Sequence, residues 1–144
     1  MYSTEIIDTL KNVPNFLGVF SRDTLPQPKS LPFSLIANTD KRVESGTHWI
    51  AIFVDKSGRG EYFDSYGRKP FNKEFVQFLK KFSSNYTFNR TQLQCITCVT
   101  CGEYSCAYII LRTAGYSKEK FIKLFTDDTI SNDIIIKEIF KTLL

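Results

Sequence analysis

The sequence predicts a single domain of the α+β class, with strands in the middle of the chain and helices towards both ends. Two segments carry this prediction. HWIAIFVD (48–55) is apolar almost without alternation, which is typical of a strand covered on both faces. NKEFVQFLKKF (72–82) instead places its phenylalanines at helical spacing. A chain of 144 residues suits one domain and buries enough surface to fold without covalent crosslinks.

Apolar periodicity, capping residues and chain breakers set the predicted elements. Ser3 is placed to cap a first helix, and Pro14 ends it. KSGRG (56–60) predicts a hairpin turn, and Gly115 closes a buried helix. The elements are predicted in this order: a helix over 3–12, strands over 16–20, 33–39, 48–55 and 61–66, a helix over 72–82, a strand over 86–94, and helices over 101–114, 117–127 and 131–143.

Composition and charge exclude several classes of protein. The start, MYSTEIIDTLKN, has neither the basic region nor the apolar region of a signal peptide. No apolar run approaches the roughly 18 residues of a transmembrane helix. We therefore expect an intracellular protein without membrane partners, whose cysteines are reduced. The net charge of +4 is compatible with nucleic acid or an acidic partner and diagnostic of neither.

All four cysteines lie in TQLQCITCVTCGEYSC (91–106), and their spacing must be explained. A disulfide framework is disfavoured, because joining Cys95, Cys98 or Cys101 closes no long loop. C-x2-C-x2-C resembles the start of an iron–sulfur run, but Cys106 follows at the wrong spacing. A zinc site usually takes its ligands from separated segments, and no distant cysteine pair exists, so we expect no metal site. Cys106 is expected to be a small buried hydrophobe.

Cys101 is the candidate nucleophile among the four. It precedes Gly102 at the predicted start of a helix, where free N–H groups and the helix dipole favour a thiolate. Its base would be His48, the only histidine of the chain, which stands where a polar loop enters an apolar strand. An ordinary surface or capping role for a lone histidine is about equally compatible with the sequence.

Several segments together resemble the adenovirus-type maturation proteases, the adenain family, whose arrangement is shared by the SUMO-specific proteases. GTHWIAIF, YFDSYG and a glutamine seven residues before Cys-Gly occur in the family's order, and FLGVF and IANTDKRVESGTHW resemble it further. The resemblance runs from about residue 5 to about residue 112. It implies a central mixed β-sheet flanked by helices, with the catalytic cysteine at a helix N-terminus.

The resemblance also implies the site residues, position by position. They are His48 as general base, Asp64 as the acid that orients it, Gln94 as oxyanion donor, Cys101 as nucleophile, and Trp49 and Gly102 beside the substrate. One difficulty is geometric. A hairpin turning around Gly58 would pair Asp64 with Ile52, about 13 Å along the strand from His48. A bulge or a different register would have to close that gap.

The implied function is a cysteine endopeptidase that cleaves viral structural precursors after small residues such as glycine, in the infected cell and the virion. The alternative is an isopeptidase acting on a ubiquitin-like modifier. A non-catalytic metal or nucleic-acid module would leave the order of the site residues as coincidence. The chemistry needs no cofactor, but the family implies a short peptide and DNA as activators. Residues 83–93 hold no cysteine, so a disulfide-tethered peptide is not expected.

Overall fold

The computed structural model describes all 144 residues and confirms the α+β class. Helices and strands follow the predicted order along the chain. They are α1 (Ser3–Leu10), β1 (Phe16–Ser21), β2 (Phe33–Asn38), β3 (Trp49–Val54), β4 (Arg59–Phe63), α2 (Lys73–Phe82), β5 (Asn85–Phe88), α3 (Cys101–Thr113), α4 (Lys118–Ile122) and α5 (Thr129–Leu143). None of the helices is both long enough and apolar enough to cross a bilayer.

The five strands form one mixed sheet in the order β1-β2-β3-β4-β5. The two outer pairs, β1 with β2 and β4 with β5, are parallel. The two inner pairs are antiparallel, so β3 lies at the centre of the sheet. A central mixed sheet flanked by helices is therefore confirmed.

Each face of the sheet carries its own hydrophobic core, because successive side chains of a strand point to opposite faces. On β3, Ile50, Ile52 and Val54 face α2, whose buried Phe75, Phe78 and Leu79 complete one core. Ala51 and Phe53 face the other core, which contains α3 together with residues of α1, α4 and α5. The prediction that 48–55 is a strand covered on both faces is thus confirmed.

Three local predictions are wrong. Ser3 is the first helical residue of α1 rather than its cap, and the main-chain N–H of Tyr2 donates to the Glu5 carboxylate at 2.6 Å. The strand predicted over 86–94 ends at Phe88, and the helix predicted over 117–127 ends at Ile122. The chain after Phe88 instead forms loops that lead to the start of α3.

The register of the β3–β4 hairpin also differs from the prediction, and this difference positions the site. Ile52 pairs with Tyr62 and Ala51 with Phe63, because the turn is closed by a hydrogen bond from the Asp55 N–H to the Arg59 carbonyl at 2.9 Å. The turn therefore centres on Ser57, not Gly58. Asp64 consequently follows the end of β4 two positions closer to His48 than predicted, and no bulge is needed.

Candidate active site

His48 and Asp64 meet at one edge of the sheet, where β3 begins and β4 ends. The Nε2 atom of His48 lies 2.7 Å from Oδ1 of Asp64, and both side chains are buried. With Nε2 engaged by the carboxylate, Nδ1 is the ring nitrogen that remains for a thiol. A carboxylate on one ring nitrogen fixes the tautomer and the orientation of an imidazole.

Main-chain hydrogen bonds hold Asp64 in place. The amide side chain of Asn89, which follows β5, accepts from the Asp64 N–H at 3.0 Å and donates to the Asp64 carbonyl at 2.6 Å. The Tyr66 N–H donates to Asp64 Oδ1 at 2.8 Å, and Nε of Arg68 lies 3.5 Å from Oδ2. The carboxylate is thus fixed in direction and faces a cationic group.

An aromatic ring covers His48. The rings of Tyr66 and His48 stack with their centroids 4.6 Å apart and an angle of 19° between the ring planes. The guanidinium of Arg68 lies over Tyr66, 4.9 Å from the ring centroid. This stack leaves the imidazole little freedom to rotate away from Asp64.

Cys101 is the first residue of α3, and its thiol lies close enough to the His48 side chain for each group to shift the pKa of the other. Burial disfavours the imidazolium, but the hydrogen bonds and charges of Asp64 and Cys101 outweigh it and raise the pKa of His48 to about 9. Burial likewise opposes ionisation of Cys101, yet His48 and the Trp49 backbone lower the pKa of the thiol. The pair therefore favours a thiolate beside an imidazolium.

Gln94 is fully buried and its side-chain amide is held at both ends. The Ser65 hydroxyl donates to Oε1 at 2.5 Å, and Nε2 donates to the Cys98 carbonyl at 2.8 Å. The main chain of Gln94 is tied to the same residue, because its N–H donates to the Ser65 carbonyl at 3.0 Å. A primary amide carries two N–H donors, so one remains for another acceptor.

The other three thiols differ from Cys101 in their surroundings. Cys106 is completely buried in α3, as predicted, and burial raises the pKa of its thiol to about 12. The neighbouring Asp133 carboxylate raises the pKa of Cys98 to about 12. The hydroxyl of Thr97 lowers the pKa of Cys95, which has no imidazole beside it. Cys101 is the cysteine whose thiol His48 contacts.

An open groove of about 650 Å³ runs past Cys101, and Trp49, Tyr66 and Val99 contribute to its walls. The indole N–H of Trp49 donates to the carbonyl of Met1 at 2.9 Å. Gly102 is buried beneath the Met1 side chain, where an added Cβ would lie 2.9 Å from Met1 Cβ. Trp49 thus lines the groove, whereas Gly102 and the predicted oxyanion donor Gln94 are not among the lining residues, and the substrate-binding roles stay predictions.

Three residues that shape the site escape sequence reasoning. Ser65 and Tyr66 stand directly after Asp64 in YFDSYG, and only that adjacency could have drawn attention to them. Asn89 gave no signal at all, since it is 25 residues from the carboxylate whose main chain it holds.

Comparisons with known proteins find viral thiol proteases among the relatives of this chain. No protein-family model matches the chain. A mimivirus protein (Acanthamoeba polyphaga mimivirus) that is named a thiol protease is 34% identical over 114 residues, 72% of this chain and 35% of that protein. The SUMO-1 cysteine protease of African swine fever virus is 35% identical over 101 residues, 62% of this chain and 37% of that protein. The chain is homologous to viral thiol proteases. It spans little more than a third of the length of either relative.

Solved structures show the same fold. The crystal structure of the African swine fever virus protease has a TM-score of 0.58 at 27% identity, over 81% of this chain and 45% of that chain. The central domain of a Legionella pneumophila protein has a TM-score of 0.61 at 14% identity, which shows the fold alone. The predicted resemblance to viral thiol proteases is confirmed, and the adenain type in particular stays a prediction.

Proposed function

We propose that the chain is a thiol-dependent peptide hydrolase with Cys101 as its nucleophile. The observation that carries the proposal is one buried imidazole, His48, which contacts the Asp64 carboxylate through one ring nitrogen and lies beside the thiol at the start of α3. A nucleophile, a base and an orienting acid in hydrogen-bond reach form the arrangement that nucleophilic catalysis of acyl transfer requires.

The proposed reaction has two chemical steps. The Cys101 thiolate attacks a peptide carbonyl, and the resulting oxyanion takes the free N–H of Gln94 and the main-chain N–H of Cys101, which has no helical acceptor. The His48 imidazolium gives its proton to the leaving amine, and a thioester forms on Cys101. His48 then takes a proton from water, the hydroxide attacks the thioester, and the acid product leaves as the thiolate is restored.

The proposed substrates are viral precursor polypeptides, cleaved after small residues such as glycine. Trp49 and Tyr66 line the groove at Cys101, and the preference for small residues is what the resemblance to the adenain family implies. The African swine fever virus relative is named a SUMO-1 cysteine protease, which favours a second candidate, an isopeptidase acting on a ubiquitin-like modifier. A peptide and DNA as activators form part of the proposal.

A peptide library incubated with the purified chain tests the activity and the cleavage preference together. Fluorogenic SUMO and ubiquitin conjugates form a parallel arm, and each arm is run with and without DNA and virion-derived peptides. Cys101→Ala should abolish turnover. Cys106→Ala is the matched control, because it makes the same change in the same helix away from the groove and should retain turnover.

Cleavage of the library with small residues before the scissile bond supports the precursor protease. Turnover confined to the SUMO or ubiquitin conjugates would support the isopeptidase instead. Activity that persists in Cys101→Ala would refute the assignment of the nucleophile. A folded wild-type chain that neither cleaves any substrate nor is alkylated by iodoacetamide at Cys101 would refute the proposal.

A further inference from the structure

Two cysteines outside the proposed catalytic pair share a turn. The segment Cys95–Ile96–Thr97–Cys98 is closed by a hydrogen bond from the Cys98 N–H to the Cys95 carbonyl at 3.1 Å. Such a turn brings the first and fourth side chains to one side. Both sulfurs and a carboxylate oxygen of Asp133, on α5, lie within 4.8 Å of one another. A third ligand group thus comes from a segment 35 residues further along the chain.

Asp133 is buried with one oxygen satisfied and the other without a partner. Its Oδ1 accepts from the Thr100 hydroxyl at 2.7 Å and from the Tyr104 hydroxyl at 3.3 Å. Its Oδ2 is buried and has no hydrogen-bond partner, although the side chain is only 7% exposed. A buried carboxylate oxygen without a partner is costly, and a bound cation would satisfy it.

We propose that Cys95, Cys98 and Asp133 form a binding site for a thiolate-preferring divalent cation, Zn²⁺. Zinc combines sulfur ligands at about 2.3 Å with carboxylate oxygen at about 2.0–2.2 Å, so ligand atoms around one ion lie roughly 3.5–4 Å apart. Because the three ligand atoms lie within 4.8 Å of one another, they need to approach by at most about 1 Å. Cys95 and Cys98 lie in a segment without regular secondary structure. On binding, the two thiols release their protons to solvent.

The surroundings of Asp133 match those of a metal ligand. Carboxylate ligands are themselves hydrogen-bonded by outer groups that fix their direction, and Thr100 and Tyr104 do this here through Oδ1. Cys95 and Cys98 have no second cysteine pair to join them, which is why the spacing in the sequence predicts no metal site. The acidic ligand on α5 replaces that pair, and water would complete a tetrahedron.

The proposed zinc site is separate from the His48–Cys101 pair, but one of its ligands contacts Gln94, the proposed oxyanion donor. The carbonyl of Cys98, one of the proposed ligands, accepts the hydrogen bond of the Gln94 amide. A cation joining Cys98 to α5 would therefore fix the loop that orients Gln94. This consequence rests on the proposed function, whereas the binding of the metal does not.

The test uses the full chain with Cys101→Ala, so that zinc cannot be held by the catalytic thiol. The protein is reduced, stripped of metal, and titrated with Zn²⁺ and with Co²⁺. We expect one equivalent of zinc, a thiolate-to-cobalt charge-transfer absorption, and an increase of several degrees in melting temperature. Cys98→Ser or Asp133→Asn should weaken zinc binding more than the roughly 10- to 100-fold that outer-shell changes cost. Thr100→Val should fall within that range.

Two matched substitutions serve as controls. Cys106→Ala removes a thiol and Asp127→Asn an exposed carboxylate, and neither should alter the stoichiometry or the spectrum. The proposal is overturned if the reduced chain binds no equivalent of Zn²⁺ or Co²⁺. It is equally overturned if Cys98→Ser and Asp133→Asn bind zinc as tightly as the parent. Because the catalytic thiol is absent throughout, these outcomes are independent of whether the chain is a protease.

Discussion

Removing the hydroxyl of Ser65 should slow catalysis through Gln94 while leaving the nucleophile intact. The Ser65 hydroxyl donates to Gln94 Oε1 at 2.5 Å, and both side chains are fully buried. A hydrogen bond of this kind contributes about 0.5–1.5 kcal/mol net. If that energy orients the amide, Ser65→Ala should lower kcat roughly 2- to 10-fold. Gln94→Ala removes the amide altogether and should give the largest decrease in kcat, about 10²–10³-fold for the loss of one oxyanion donor.

A double-mutant cycle on kcat separates this positioning role from general destabilisation. In the Gln94→Ala background the effect of Ser65→Ala on kcat should vanish, because no amide remains to be oriented. KM should change little, since the contact with Gln94 acts in the transition state. Ser34→Ala is the matched control, as Ser34 is buried and its hydroxyl has no partner. Full kcat in Ser65→Ala, or effects on kcat that add across the cycle, would refute the reasoning.

Three further outcomes follow from the same geometry. The pH profile of kcat/KM should be bell-shaped, because acid protonates the Cys101 thiolate and alkali above about 9 removes the proton that His48 gives to the leaving amine; a profile that keeps rising above pH 10 would contradict the ion pair. Asp64→Asn should lower kcat by about 10³–10⁴-fold and move the alkaline limb to lower pH, since Asp64 raises the pKa of His48; an unmoved limb would argue against that contact. Asn89→Ala leaves the N–H and the carbonyl of Asp64 without their Asn89 partner, and it should lower the free energy of unfolding by roughly 1–3 kcal/mol for each group, as measured by urea unfolding. An unchanged urea midpoint would show that water replaces the two hydrogen bonds of Asn89.

Patterns within single segments of the sequence predicted most of the helices and strands. The features that the sequence did not predict depend on contacts between loops that are distant in sequence. The apolar run of β3 and the phenylalanine spacing of α2 gave the two buried faces, because burial repeats along a single element. The hairpin register was missed by two residues, since turn geometry decides it and both registers bury the same face. The structure brings His48, Asp64 and Cys101 together, whereas their catalytic roles stay predictions.

The contacts of Asn89 with Asp64 and of Asp133 with the cysteine turn could not be predicted in the same way. Each joins segments at least 25 residues apart, and each depends on the path of a loop rather than on a repeating pattern. Periodicity carries no information about such pairs. The last helix was predicted over 131–143 from its apolar residues alone, and those residues do not indicate which thiols the carboxylate of Asp133 would meet.

Cys101 lies at the junction between a buried helix, α3, and the exposed loop of residues 95–100 that precedes it. Behind it, α3 is buried almost throughout from Tyr104 to Ile109 and packs across the centre of the sheet. Ahead of it, residues 95–100 carry the exposed Ile96 and Val99 and few main-chain hydrogen bonds. Amide hydrogens in α3 should exchange with solvent only through global unfolding, whereas those of the preceding loop should exchange through small local openings. Warming would therefore disorder the oxyanion side of the groove while the helix that bears the thiol is still intact, and turnover would fail at a temperature below the unfolding transition.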